Sequence, residues 1–249
     1  MKKLVLGFIG GCHVAGYLAP PSSSFVDCLD QSLKPTQIHR LPYVKINRIT
    51  KVIEPNQALE SNFIVMQLGN FEFSASWKQI IETTVGLPSW LTPHLSKKIT
   101  KSAKTEAFAT SENEITQTVG PASSQTTTRR FMEAIKLVIG SSLYLITWLF
   151  MRKYKQQFQL LNQVINENPQ STFVCLSPFP CASETHTKIR RLGGLIMRRR
   201  IQDRPNLHWV DTHDLLKSRS NLFVDGIHLN KKGHTILANY LQLVFNNEH

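Results

Sequence analysis

Short, continuous apolar runs, each closing on glycine, proline or a polar residue, recur along this chain and restrict its fold more than any other feature. The runs "LVLGFIG" (4–10), "FIVMQLGN" (63–70), "TFVCLSP" (172–178) and "LHWVDTH" (207–213) draw on Val, Ile, Leu and Phe without sustained apolar–polar alternation. A strand with one wet face alternates, whereas a strand covered on both faces does not. Segments with helical spacing separate the runs. The last of them, "NKKGHTILANYLQLVF", places Ile236, Leu237, Tyr240, Leu241 and Val244 on one face. Buried strands alternating with helices predict an α/β chain built on a doubly wound parallel sheet. A weaker strand is expected within "LPYVKIN" (41–47).

With 249 residues, 41% of them apolar, the chain can enclose a full core for one such domain. Its net charge of +12 favours anionic partners such as phosphorylated cofactors, acidic glycans or membrane surfaces. Nucleic acid is not expected. The four cysteines, Cys12, Cys28, Cys175 and Cys181, form neither a CxxC pair nor a Cys/His zinc pattern. Reduced thiols in a cytoplasmic protein are expected, with membrane association left open. The start "MKKLVLGFIGGCHVAGYLA" imitates an export signal, and "IGGC" a lipoprotein cleavage site. Yet the uncharged stretch before Cys12, Leu4–Gly11, is only eight residues, near the lower limit of such a region.

The chain is expected to form a single domain over 1–249, interrupted between 75 and 170. Residues 96–130, rich in Ser, Thr, Lys and Gln, read as a polar surface insertion. Residues 131–168 read as an apolar helical cap or a core helix. The uncharged stretch Leu137–Met151 is about 15 residues, short of the ~20 a membrane span needs. Basic residues flank it, from Arg129 and Arg130 to Arg152, Lys153 and Lys155, so peripheral membrane contact through 131–155 is an open expectation.

In an open parallel sheet the reactive groups gather at the carboxyl ends of the strands. Here those ends carry "GGCHVAG", "GNFEF", "PFPC" and, before the final helix, "FVDGIHLNKKGH". Asp225 and His228 are three residues apart on a loop, a spacing that lets a carboxylate hold one imidazole nitrogen while the other faces a nucleophile. Asp211, His213, Asp225, His228 and His234 lie close in sequence but match no known metal-ligand spacing, and no metal is expected.

"DGIHLNKKGHTILANYL" resembles the last conserved block of the SGNH, or GDSL-like, hydrolases. "VMQLGNFE" is similar to their third block and "LGFIGGCHVAG" sits where the first belongs. The resemblance implies a three-layer α/β/α sandwich with a parallel, flavodoxin-like sheet of the SGNH type. It also implies a nucleophile–His–Asp arrangement acting on acyl esters without a cofactor. Carried residue by residue, it makes Cys12 the nucleophile, His228 the base, Asp225 its orienting carboxylate, and Asn70, Gly69 and His13 the oxyanion hole. The chain departs from the family at three places. Cys12 stands at the serine position, Asn70 comes one place early, and "INRITKV" (46–52), the expected second block, has no glycine. A thiol beside a histidine and at a helix start is expected to have a lowered pKa.

Gly-Gly-Cys-His also resembles the Gly-Asn-Cys-Gln block of a polysaccharide-biosynthesis branch of similar proteins, which implies acyl transfer with coenzyme A as a possible cofactor. The basic segment "KIRRLGGLIMRRR" (188–200) then offers contacts for phosphates, or else forms a solvated helix face with Leu192, Leu195 and Ile196 inward. The expected function is thus ester hydrolysis on an acylated small molecule or glycan. The alternatives are a coenzyme A-dependent acyltransferase and a non-catalytic glycan- or membrane-binding protein of the same fold.

Overall fold

The computed structural model describes residues 3–53, 60–74, 147–149, 151–182, 184–216 and 220–247. The chain divides into two compact units, one of Met1–Ser74 with Met151–His249 and one of Ala75–Phe150. The described part of the second unit is a helical turn at 147–149, so the polar segment 96–130 and most of the apolar stretch 131–150 lie outside the described residues. Among the described residues no helix is long and apolar enough to cross a membrane.

The first unit is built on a five-stranded sheet in the order β2-β1-β3-β4-β5. The strands are β1 (Val5–Ile9), β2 (Gln37–Leu41), β3 (Phe63–Gln67), β4 (Thr172–Leu176) and β5 (Leu207–Val210), and every pairing is parallel. This is the flavodoxin-like order, with helices on both faces, as the continuous apolar runs predict. Residues of β1 and β3 are buried without exception, which is why both sides of these strands must be apolar.

The two edge strands are less covered: Leu207, His208 and Trp209 of β5 are half-buried, and β2, which occupies 37–41 and not 41–47, has Gln37 and Arg40 exposed. An edge strand needs no continuous apolar run. Pro42 and Tyr43, the latter at φ 62, then turn the chain away before a 3-10 turn at Ile46–Arg48 and helix α2 (Ile49–Ile53).

Helix α1 (Phe25–Leu33) begins on a capping box, in which the Ser24 hydroxyl accepts from the Asp27 N–H and the Asp27 carboxylate accepts from the Ser24 N–H. Arg40 on β2 pairs with Asp27 at 2.6 Å and ties the edge strand to this helix. On one face of the sheet, Phe25, Val26 and Leu29 of α1 and Leu237, Leu241 and Phe245 of α6 (Lys231–Asn247) pack over Leu6, Phe8, Val65, Val174 and Leu176. The other layer holds α2, α3 (Lys155–Glu167) and α4 (Glu184–Arg200). Buried Phe158, Leu161, Val164 and Ile165 make α3 an ordinary core helix, leading directly into β4. The short helix α5 (Thr212–Leu216) follows β5.

Candidate active site

At its carboxyl end β1 passes into Gly10-Gly11-Cys12-His13. Gly10 lies so close to β3 that a Cβ there would sit 2.6 Å from the Cβ of Gln67. The gap lets the Gln67 side chain reach under the turn. Its Oε1 accepts from the Gly11 N–H at 3.1 Å, and its Nε2 lies 3.0 Å from His13 Nδ1. Because the N–H of Gly11 fixes the carbonyl end of this amide, the amino end must donate to His13. Nδ1 of His13 is therefore an acceptor, and in the neutral ring the proton sits on Nε2. Asn70 is oriented in the same way. Its Oδ1 accepts from the Phe179 N–H at 2.8 Å, which turns its Nδ2 to within 3.4 Å of the same His13 nitrogen.

His13 is fully buried. Burial pushes its pKa well below 6.5, and the nearby His234, His228 and Arg190 push the same way. It is a neutral structural acceptor, with the Phe179 ring 4.6 Å away. The Cys12 sulfur lies 3.6 Å from His13 Nδ1.

Cys12 does not open a helix. Residues 12–18 fold as consecutive turns, and the left-handed φ values of Gly16, Leu18 and Ser22 (71°, 59° and 58°) prevent a helix before Ser24. Without a helix start, burial dominates and raises the thiol pKa rather than lowering it. Opposing that rise are the backbone N–H groups of Cys12 and His13, which face the sulfur, and the charge of Arg190; Asp225 adds to it.

The second half of the site is the loop between Phe223 and Leu229, two residues joined by an antiparallel bridge. Asp225 organises it. Its Oδ1 accepts from the N–H groups of Ile227 and His228 at 3.0 and 2.8 Å, and its Oδ2 lies 2.7 Å from His228 Nδ1. These contacts hold the Asp225 carboxyl down at about 2, against the upward push of burial. His228 therefore keeps Nε2 for other work. Its ring stands over the Cys12 turn, with centroids 5.6 Å from His13 and 4.8 Å from Tyr17. The loop is anchored to the β4 side by the Ala182 N–H, which donates to the Gly226 carbonyl at 2.7 Å.

The structure thus brings Cys12, His13, Asn70, Asp225 and His228 to one rim. Gly69 serves as a turn: at φ 85° it lets β3 double back, and a Cβ there would lie 2.8 Å from Pro178. The loop that abuts the end of β1 is 42–45, where the Val44 N–H donates to the Gly10 carbonyl at 2.8 Å, rather than 46–52. A buried Glu72 carboxylate accepts from the Ile46 N–H at 2.8 Å and pins the segment that follows. His234 instead caps α1, accepting from the Phe25 N–H at 3.2 Å. Among the described residues no cluster of His, Cys, Asp and Glu is arranged to hold a metal ion.

Two residues of this site escaped the sequence. Gln67 is the polar end of an apolar strand, and that position was its one visible signal. Arg190 was read as part of a solvated basic face. In fact it is only 1% exposed, while Leu195, expected inward, is 47% exposed.

No family model matches the sequence, and no curated protein matches it. Solved structures do match its fold along nearly the whole chain. A member of the lipolytic G-D-S-L family from Veillonella parvula has a TM-score of 0.54 at 10% identity, covering 98% of each chain. Phospholipase A1 from Streptomyces albidoflavus has a TM-score of 0.53 at 11% identity, covering 98% of this chain and 99% of that one. A mutant of Axe2, an acetyl-xylooligosaccharide esterase from Geobacillus, has a TM-score of 0.51 at 12% identity, covering 96% of this chain and 92% of the other. The fold is that of the SGNH, or GDSL-type, hydrolases: a three-layer α/β/α sandwich on a parallel, flavodoxin-like sheet.

Proposed function

We propose that this protein cleaves acyl esters through a covalent intermediate on Cys12. The observation that carries the reading is the 2.7 Å contact between Asp225 and His228 Nδ1 in a loop that sets the His228 ring over the Cys12 turn. The thiol is held protonated by burial, so it needs a base. His228 Nε2 takes the thiol proton as the sulfur attacks the ester carbonyl. Charge collects on the former carbonyl oxygen. The N–H groups of Cys12 and His13 and the amide of Asn70 stabilise it, each such donor contributing on the order of 3 kcal/mol to the barrier. The C–O bond then breaks. The alcohol leaves with the proton from His228, and an acyl thioester remains on Cys12. Water attacks the thioester, gives a proton to His228, and releases the carboxylic acid as the thiol is restored.

The fold's relatives by structure include enzymes named for phospholipid and acetylated xylo-oligosaccharide substrates. An acylated glycan or small molecule is the substrate class we assign, with no cofactor.

Intact-mass spectrometry after exposure to p-nitrophenyl acetate tests the reading. An acetyl adduct mapped to Cys12, absent in Cys12→Ala, supports it. Release of the acyl group to a sugar only when one is supplied identifies transfer instead. No adduct, with the Cys12→Ala protein equally active on the ester, overturns it.

A further inference from the structure

Arg190 is the anomaly of this molecule. It lies on α4, only 1% exposed, yet no carboxylate pairs with it among the described residues. Its Nη1 donates to the Phe179 carbonyl at 3.0 Å, and its Nε has no hydrogen-bond partner. Burying an unpaired guanidinium is costly, and holding one carbonyl does not require a charge, since a glutamine amide could donate there. The charge must therefore answer to something else nearby.

The contacts around it lead in one direction. Arg190 fixes the Phe179 carbonyl, the N–H of Phe179 fixes Asn70 Oδ1, and Asn70 Nδ2 faces His13 beside the Cys12 sulfur. The groups within electrostatic reach of Arg190 are Cys12, Cys181, His13, His186 and His213. It disfavours the charged form of the three histidines and favours an anion on the Cys12 sulfur. Of the two sulfurs, Cys181 is buried against Thr187, 3.6 Å from its hydroxyl, whereas Cys12 is half-exposed on the rim.

We propose that Arg190 is a positioning residue of the candidate site: it locks the Phe179 backbone behind Asn70 and supplies the buried counter-charge for the anion that forms at Cys12. It rests on Cys12 being the reacting group, as proposed above. Asp225 opposes the same anion, and among the described residues His13, His228 and Tyr17 are further titratable groups at the turn. Among the described residues, Arg190 is thus the buried cation that acts on Cys12.

The test reads the ionisation of Cys12 in the full-length protein, independently of ester turnover. Carbamidomethylation by iodoacetamide is followed at each cysteine by peptide mass spectrometry across pH for the parent protein, Arg190→Lys and Arg190→Gln. Glutamine keeps a donor for Phe179 and removes the charge, while lysine keeps the charge. The alkylation midpoint of Cys12 should rise by about one pH unit in Arg190→Gln, a rate loss of about tenfold below the midpoint, and stay at the parent value in Arg190→Lys. An unmoved midpoint in a folded Arg190→Gln protein, or a shift confined to Cys181, overturns the proposal. If Arg190→Gln does not fold, the parent protein decides. In about 0.5 M salt, which screens surface charge, Cys12 should prefer iodoacetate over iodoacetamide several-fold more than Cys28 does. Equal preference at the two cysteines overturns the proposal. A shifted midpoint in a protein without esterase activity would leave this inference standing and remove the esterase reading alone.

Discussion

His13 and His228 lie 5.6 Å apart across the site, but they are held in opposite ways. His13 is buried and fixed by partners distant in sequence: Gln67, Asn70 and the ring of Phe179. His228 is fixed by its own loop, through a carboxylate three residues away that also accepts two backbone N–H groups of the same turn. One half of the site is therefore part of the core, and the other is a self-contained clip resting on it. The difference predicts how each half should fail. Changes to the buried half should cost stability and chemistry together. Changes to the loop should cost chemistry alone.

The largest expected effect is that of Cys12→Ala. Cys12 is half-exposed on the rim and belongs to neither the buried half nor the loop, so its loss should abolish the acyl adduct seen by intact-mass spectrometry while the melting temperature stays near the parent value. His228→Ala should follow, lowering kcat/KM by about 10³-fold, or about 4 kcal/mol, in steady-state ester hydrolysis. A His228→Ala protein with parent activity would break the clip's assigned role.

Acid should next strike the core on which the buried half rests. His213 and His234 are both held down to about 4, against 6.5 when exposed, chiefly by burial. On acidification the unfolded chain takes up these protons first. Stability is therefore full above pH 6.5 and lost as the pH falls toward 4, by on the order of 3 kcal/mol for each histidine. Urea midpoints measured from about pH 8 down to about pH 5 would show the decline, and a flat series would contradict the neutral burial of these rings.

Gln67→Leu leaves the Gly11 N–H and His13 Nδ1 without the partner that now joins them, and we expect a loss of about 2 kcal/mol in urea unfolding together with slower turnover. The smallest effect on stability belongs to Asp225→Asn. Its side chain is 41% exposed, and asparagine can still accept from the loop N–H groups. Unfolding should shift by less than about 0.5 kcal/mol while turnover drops. A large destabilisation there would erase the contrast between the two halves.

The same contrast explains what the sequence disclosed. The Asp225–His228 pair was legible because its geometry is local, three residues on one loop. The buried strands β1, β3 and β4 were legible because continuous apolar runs report burial on both faces. Of the two edge strands, β5 was legible from its short run of Leu207, Trp209 and Val210, and β2 was misplaced because it carries no such run. Gln67 and Arg190 were illegible for a different reason: each gains its role from a partner outside its own element, Gly11 and Phe179. Helical spacing also put Leu195 inward, since no periodicity shows that a helix will bury a guanidinium instead.

Strands β3 and β4 are hydrogen-bonded neighbours, yet the chain leaves β3 at Gln67 and returns to it at Thr172. Of the four strand pairings this one joins the residues farthest apart in sequence. Contacts between partners so distant repay the entropy of closure only after the intervening chain has been brought round, so the pairing of β3 with β4 is the one expected to set the pace at which the sheet assembles.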